Sequence, residues 1–166
     1  AIDGQCQRIF ALAQPVAVDL RLLLAAMRMN SDLERIGDIA VNIAERVRSL
    51  HDHITLIEQV RAFEMIDTAR ETLTAVLNAF IHNNSAEARG VFAKEERVDA
   101  LNRETFYKLI EAMKADPVMI EPAAHLMALL RHIERLADHA TNIAENVIFV
   151  AEAKLMRHQP VPSPGL

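Results

Sequence analysis

Twelve residues, Glu34-Arg-Ile-Gly-Asp-Ile-Ala-Val-Asn-Ile-Ala-Glu45, return 100 positions later as Glu134-Arg-Leu-Ala-Asp-His-Ala-Thr-Asn-Ile-Ala-Glu145. Eight of the twelve are identical. Shared Ala, Glu and Ile follow from helical bias, but shared Asp and Asn do not. Their side chains compete for backbone hydrogen bonds and disfavour helix interiors. A helix that carries both at matching offsets in two copies is using their oxygens. The chain therefore reads as a tandem helical repeat with a polar constellation in each copy.

The remaining composition agrees with an all-α fold. Hydrophobic residues make up 51% of 166 positions, with only 4 Gly and 4% aromatic residues. A net charge of −5 leaves no basic stripe for phosphates, which argues against nucleic acid. The single cysteine, Cys6, forms no internal disulfide and reads as a small buried residue suited to a reducing cytoplasm. No apolar run approaches the ~18 residues of a membrane span, so no membrane insertion is expected. Ala1 opens the chain without a methionine, which suggests a fragment or a processed form.

Helical periodicity sets the domain plan. A helix end at about 3–12 is broken at Gln14-Pro15, with Pro15 suited to the first position of the next helix. A seam of Leu22, Ala26, Met29, Leu33, Ile36, Ala40, Ile43, Val47 and Leu50 then predicts one helix over 16–50. Thr55 and Glu58 have capping-box spacing and predict the start of a helix that runs to about His82. Asn83-Asn84-Ser85 caps the next helix, 86–115, and turns at Pro117 and Pro122 lead to a last helix over 119–157. Its seam of Leu126, Leu129, Ile133, Leu136, Ala140, Ile143, Val147 and Val150 parallels the first. Residues 1–50 thus form an incomplete first repeat and 55–157 a complete three-helix repeat. Residues 158–166 form a Pro-rich tail expected to be disordered.

Residues four apart on a helix lie one above the other. Glu34, Asp38 and Asn42 form such a row, Glu134, Asp138 and Asn142 its twin, both turned away from the seams. Either row alone reads more readily as a solvated face, because acids make up 23 of 166 residues. Glu95 and Asp99 add weight. They share the four-residue spacing but sit at the edge of an apolar stripe, where a bare carboxylate is costly. Two pairs on adjacent helices predict four carboxylates at one spot, a donor set for hard cations. Asp3, after Ile2, occupies in the first copy the place of Asp99 after Val98. His132 and His139 bracket the second motif, and His51 and His53 lie in a turn; ordinary surface histidines are the plainer reading of all four.

Gln14-Pro-Val-Ala-Val-Asp-Leu-Arg21, the motif from Asp32 to Glu45, its copy at 134–145 and Glu95-x-x-x-Asp99 together resemble the PhoU family of phosphate-signalling regulators. The resemblance spans about residues 2–152. It implies tandem three-helix bundles whose repeated (Glu/Asp)-x-x-x-Asp motifs hold a metal ion or a multinuclear cluster, with iron or zinc ahead of magnesium or manganese. Carried over by position, the metal residues are Glu95, Asp99, Glu134 and Asp138, with Glu34, Asp38 and Asp3 for an incomplete first site. It further implies a non-enzymatic cytoplasmic protein that negatively controls phosphate uptake and phosphate-starvation signalling. The implied partners are the phosphate-transporter ATPase and a sensor histidine kinase.

Two other functions fit an acidic helical chain. A carboxylate-bridged di-metal oxidase or metal-storage bundle needs Glu-x-x-His pairs in its core, and no such pair occurs here. A plain scaffold would use its acids for solubility alone. The incomplete first repeat carries a separate expectation. Each large apolar side chain left in water forfeits ~1.5–3 kcal/mol, so helix 16–50 must be covered. A homodimer through this helix is the expected cover, and leaning on the second repeat is the alternative.

Overall fold

The computed structural model describes residues 2–156. Its helices are α1 (Ile2–Ala13), α2 (Ala17–Val47), α3 (Ile54–Gln59), α4 (Ala62–Ile81), α5 (Ser85–Ala115) and α6 (Ile120–Glu152). Short 3-10 turns at Arg48–His53 and Pro117–Met119 join α2 to α3 and α5 to α6. No strand occurs among the described residues, so the chain is all-α as its periodicity predicts.

Helices α4, α5 and α6 form a three-helix bundle, and α2 packs along the outer side of α6. Helix α6 is therefore the centre of the molecule. It buries residues around most of its circumference, from Leu126 and Leu130 to Ala144 and Ile148, as expected of a helix flanked by neighbours on opposite sides. One apolar cluster gathers Met65, Leu101, Leu109, Leu126, Leu130 and Ile133. A second gathers Val76, Val91, Ile143, Val147 and Ile148, and α2 enters it with Ala25, Met29 and Ile36. Leu136 touches both clusters.

Several boundaries differ from the sequence reading, each for a local reason. Helix α2 starts at Ala17 with Val16 extended, so Pro15 belongs to the connector and not to the first helical turn. Helix 16–50 ends at Val47 because a 3-10 turn takes over, and that turn buries Leu50 in the core. The Thr55–Glu58 capping box is absent. Helix α3 continues directly from the 3-10 turn with no side-chain cap, so no free helix start exists for Thr55 to serve. The helix expected to run to His82 is broken at Arg61, whose φ is 62°. At the break, the buried Thr105 hydroxyl donates to the Val60 carbonyl across 2.9 Å.

Asn84 caps α5 as its sequence position predicts, accepting from the Ala86 and Glu87 amides at 3.1 and 3.2 Å. Pro122 lies in the first turn of α6, where a missing amide hydrogen costs no helical bond. Helix α6 stops at Glu152 with Ala153 left-handed, five residues before the expected end, and residue 157 and the Pro-rich tail lie outside the described residues.

Within one chain, α2 leans on the second repeat. Its buried positions are Ala25, Met29, Ile36 and Ile39, a stripe rotated from the predicted seam. Leu33 is 42% exposed, Val47 51% and Leu22 45%. The predicted seam assumed a symmetric bundle around α2, whereas α6 supplies most of its cover and α1 packs against it as well.

Candidate metal centre

Helices α5 and α6 cross the bundle side by side, and their polar edges meet. Glu95 and Asp99 stand one turn apart on α5, Glu134 and Asp138 one turn apart on α6. One oxygen from each of Glu95, Asp99 and Asp138 lies within 4.8 Å of the other two. Two oxygens that share a cation at ~2.3 Å stand at most ~4.6 Å apart. The triangle is thus of a size that one ion can span with small side-chain adjustments. The donor set is all carboxylate, with no thiolate or imidazole among the three, which selects hard cations.

Burial grades across the site. Glu95 is 3% exposed and sits between Val91 and Val98 on the inner face of α5. Asp99 is half-buried and Asp138 reaches solvent. Burial first, and crowding of like charge second, act on the carboxyl pair of α6. Partial removal from water, then the charges of Asp99 and Asp138, raise the Glu134 carboxyl above the ordinary range. Loss of hydration, then Asp99, raises Asp138 as well. Arg131 acts against both shifts and Asn102 donates to Glu134, without cancelling them. Glu134 is thus a neighbour of the triangle and not one of its three corners.

The first copy is arranged otherwise. Glu34 and Asp38 are exposed on α2 and Asp3 is exposed in the first turn of α1. None of them joins a three-ligand group among the described residues. The histidines also stay apart from the triangle. His139 pairs through Nδ1 with Asp32 of α2 at 2.9 Å, and Asn142 donates Nδ2 to the same carboxylate oxygen at 3.2 Å. Asn142 therefore serves the joint between α2 and α6, not the carboxylate row. His132 has a buried Nδ1 without a hydrogen-bond partner, and its pKa is lowered by burial and by Arg46 and Arg135. His51 lies 3.0 Å from Asp52 on an exposed turn. Sequence reasoning missed Asp32, because nothing local marks a carboxylate whose partners lie more than a hundred positions away.

The PhoU domain profile matches residues 1–47 and 63–147. A phosphate-specific transport system accessory protein PhoU homolog of Caulobacter vibrioides is 37% identical over 149 residues, 89% of this chain and 65% of that protein. The corresponding homolog of Rhizobium meliloti is 34% identical and is covered to 60%, that of Aquifex aeolicus 37% identical and covered to 74%. The chain thus spans roughly two thirds of the length of these relatives. Crystal structures of PhoU from Pseudomonas aeruginosa and of the phosphate transport system regulatory protein PhoU from Streptococcus pneumoniae each superpose with a TM-score of 0.82. They are 31% and 27% identical to this chain, which covers 73% of each.

Proposed function

This chain belongs to the PhoU family, and from that premise we propose that it acts as a metal-binding accessory regulator of phosphate transport. The observation that carries the metal part is the meeting of Glu95, Asp99 and Asp138 at the α5–α6 edge. A hard divalent or trivalent ion there would supply positive charge where three carboxylates crowd. Glu95, Asp99 and Asp138 would hold it, with Glu134 beside them. Iron, zinc, magnesium and manganese are the ions to test. Binding would tie α5 to α6 and change the charge of an exposed face by several units, which is the kind of change a docking partner reads.

The relatives are named as accessories of the phosphate-specific transport system. That supports a regulatory rather than an enzymatic role, with the transporter ATPase and a sensor histidine kinase as the partners proposed. In this reading the protein works in the cytoplasm and damps phosphate uptake and starvation signalling. No helix among the described residues is long and apolar enough to cross a membrane. The exposed Leu22, Leu33 and Val47 on α2 support self-association through that helix. A di-metal oxidase is disfavoured, because the interior between α4, α5 and α6 is filled by Leu, Val, Ile and Met side chains.

Two experiments separate the parts of the proposal. Cells without the protein should express phosphate-starvation genes in high phosphate, and the full-length form should restore repression. Unchanged expression would end the regulatory reading. Elemental analysis of protein purified without chelator or immobilised metal should find bound metal; its consistent absence, with no uptake on titration, would end the metal reading.

A further inference from the structure

The two ends of the α2–α6 joint are furnished with opposite chemistry. The helices run antiparallel, since Asp32 meets His139 and Asn142 at one end while Arg46 lies near His132 at the other. The first end carries its own anion. Asp32 lies against the His139 ring at 2.9 Å and accepts from the Asn142 amide at 3.2 Å, so polar groups of α6 find an acceptor on α2.

At the second end the repeat exchanges these roles. His132 stands 100 positions after Asp32, so an imidazole takes the place of the carboxylate. Arg46 stands where the first end has Asn146, and Ile39 where it has His139. An acceptor is lost and a guanidinium is gained. His132 is partly buried, and its Nδ1 is shielded from solvent without a hydrogen-bond partner. A shielded polar atom left unpaired is costly, and native structures supply partners for most of them. Burial first, then the positive charges of Arg46 and Arg135, favour the neutral ring. A neutral imidazole still donates one N–H.

Neither guanidinium forms an ion pair among the described residues. Arg46 is partly buried and Arg135 exposed, so the spot between them and the ring opens to solvent on their side. Arg135 also acts on Asp138, one turn further along α6 and away from His132, without pairing with it. One turn back from Arg46 on α2 stand Asn42 and Ile43, and neither brings a carboxylate to that face.

We propose that this end of the joint binds a small, multiply charged oxyanion of the phosphate class. The Arg46 and Arg135 guanidiniums would donate charge-assisted hydrogen bonds to its oxygens, a pairing that suits their planar forks. The His132 ring would donate a further one. The anion supplies from solvent what Asp32 supplies from within at the other end, an acceptor that ties α6 to α2. This site is separate from the metal centre, and its test is run without metal.

Inorganic phosphate is the probe, titrated calorimetrically into the whole chain at constant ionic strength with chelator present. Saturable one-to-one binding is expected, with acetate, a singly charged oxyanion, failing to saturate. Arg46→Gln should weaken phosphate about tenfold or more, the usual scale for a lost hydrogen bond to a charged group. His132→Asp, which copies the other end of the joint, should abolish binding and raise the melting temperature by setting a carboxylate beside Arg46. Asp99→Asn, at the metal centre, should leave phosphate binding unchanged. Circular dichroism establishes that each variant is folded, and Arg46→Gln decides if His132→Asp is not. No saturation below ~10 mM, weaker than any affinity that marks a specific site, would overturn the proposal. Equal binding by wild type and Arg46→Gln, or by phosphate and acetate, would overturn it as well.

Discussion

His139 Nδ1 lies 2.9 Å from Asp32 Oδ1, although 107 positions separate the two residues. The side chains are 20% and 15% exposed, so the contact is shielded, and Asn142 adds a second donor to the same oxygen. This carboxylate joins the first repeat to the second across the α2–α6 interface. Replacing it with Ala would leave the half-buried His139 ring nitrogen without this partner, while the exposed Asn142 can turn to water. Asp32→Ala is expected to cost about 0.5–1.5 kcal/mol, the net range for losing a hydrogen bond that is not fully buried. Urea denaturation measures that cost, and amide exchange should show α2 loosening before α6. An unchanged midpoint with full protection of α2 would mean that apolar packing alone holds the joint.

Apolar positions on α2 should differ sharply in cost from those on α6. Ile133 is buried in the main cluster, and Ile133→Ala should cost about 2–5 kcal/mol, the range for emptying a packed site. Leu33 occupies a predicted seam position but is nearly half exposed, so Leu33→Ala should cost less than about 1 kcal/mol in the monomer. A larger loss for Leu33→Ala that grows with protein concentration would reveal a partner copy on this face.

The carboxylates at the α5–α6 edge should serve metal rather than fold. Asp99→Asn combined with Asp138→Asn is expected to remove metal uptake. Apo stability should change by less than about 0.5 kcal/mol or increase, as usual for relief of like charges at a partly exposed site. Metal titration and thermal melts of the same preparation test both halves. An unfolded apo double variant would show instead that the acids are structural.

Glu134 and Asp138 both have raised carboxyl pKa values, through lost hydration and the charge of Asp99 among other causes. The folded protein therefore holds these protons more tightly than the unfolded chain. The resulting penalty is absent below the ordinary carboxyl range and fully present above the raised values. Stability of the metal-free protein should accordingly fall as pH rises through that window, and a bound cation should reverse the trend. Metal affinity should drop as pH falls into the same window, because protons compete for the oxygens. Denaturant melts from about pH 4 to about pH 7 with and without chelator measure both effects. A metal-free stability that rises monotonically across the window would contradict the assignment.

The sequence by itself determined what depends on neighbours along the chain. The doubled motif, the four-residue spacing of Glu95 with Asp99 and of Glu134 with Asp138, and the seam of α6 are all properties of a helix that repeats every 3.6 residues. That is why Leu126, Leu129, Ile133, Ala140, Ile143 and Val147 were legible as core, and why Asn84 was legible as a cap. Only the tertiary structure decided the rest. The α2 stripe is rotated from its predicted seam because burial is set by the helices that cover it, chiefly α6, and periodicity does not name them. Glu134 stands outside the carboxylate triangle because the crossing of α5 and α6, not spacing, sets which oxygens meet. At the break beside Arg61, Val60 meets Thr105, 45 positions away, and at the joint Asp32 meets His139. Contacts of that reach arise when separate helices pack, and a helical period carries no record of them.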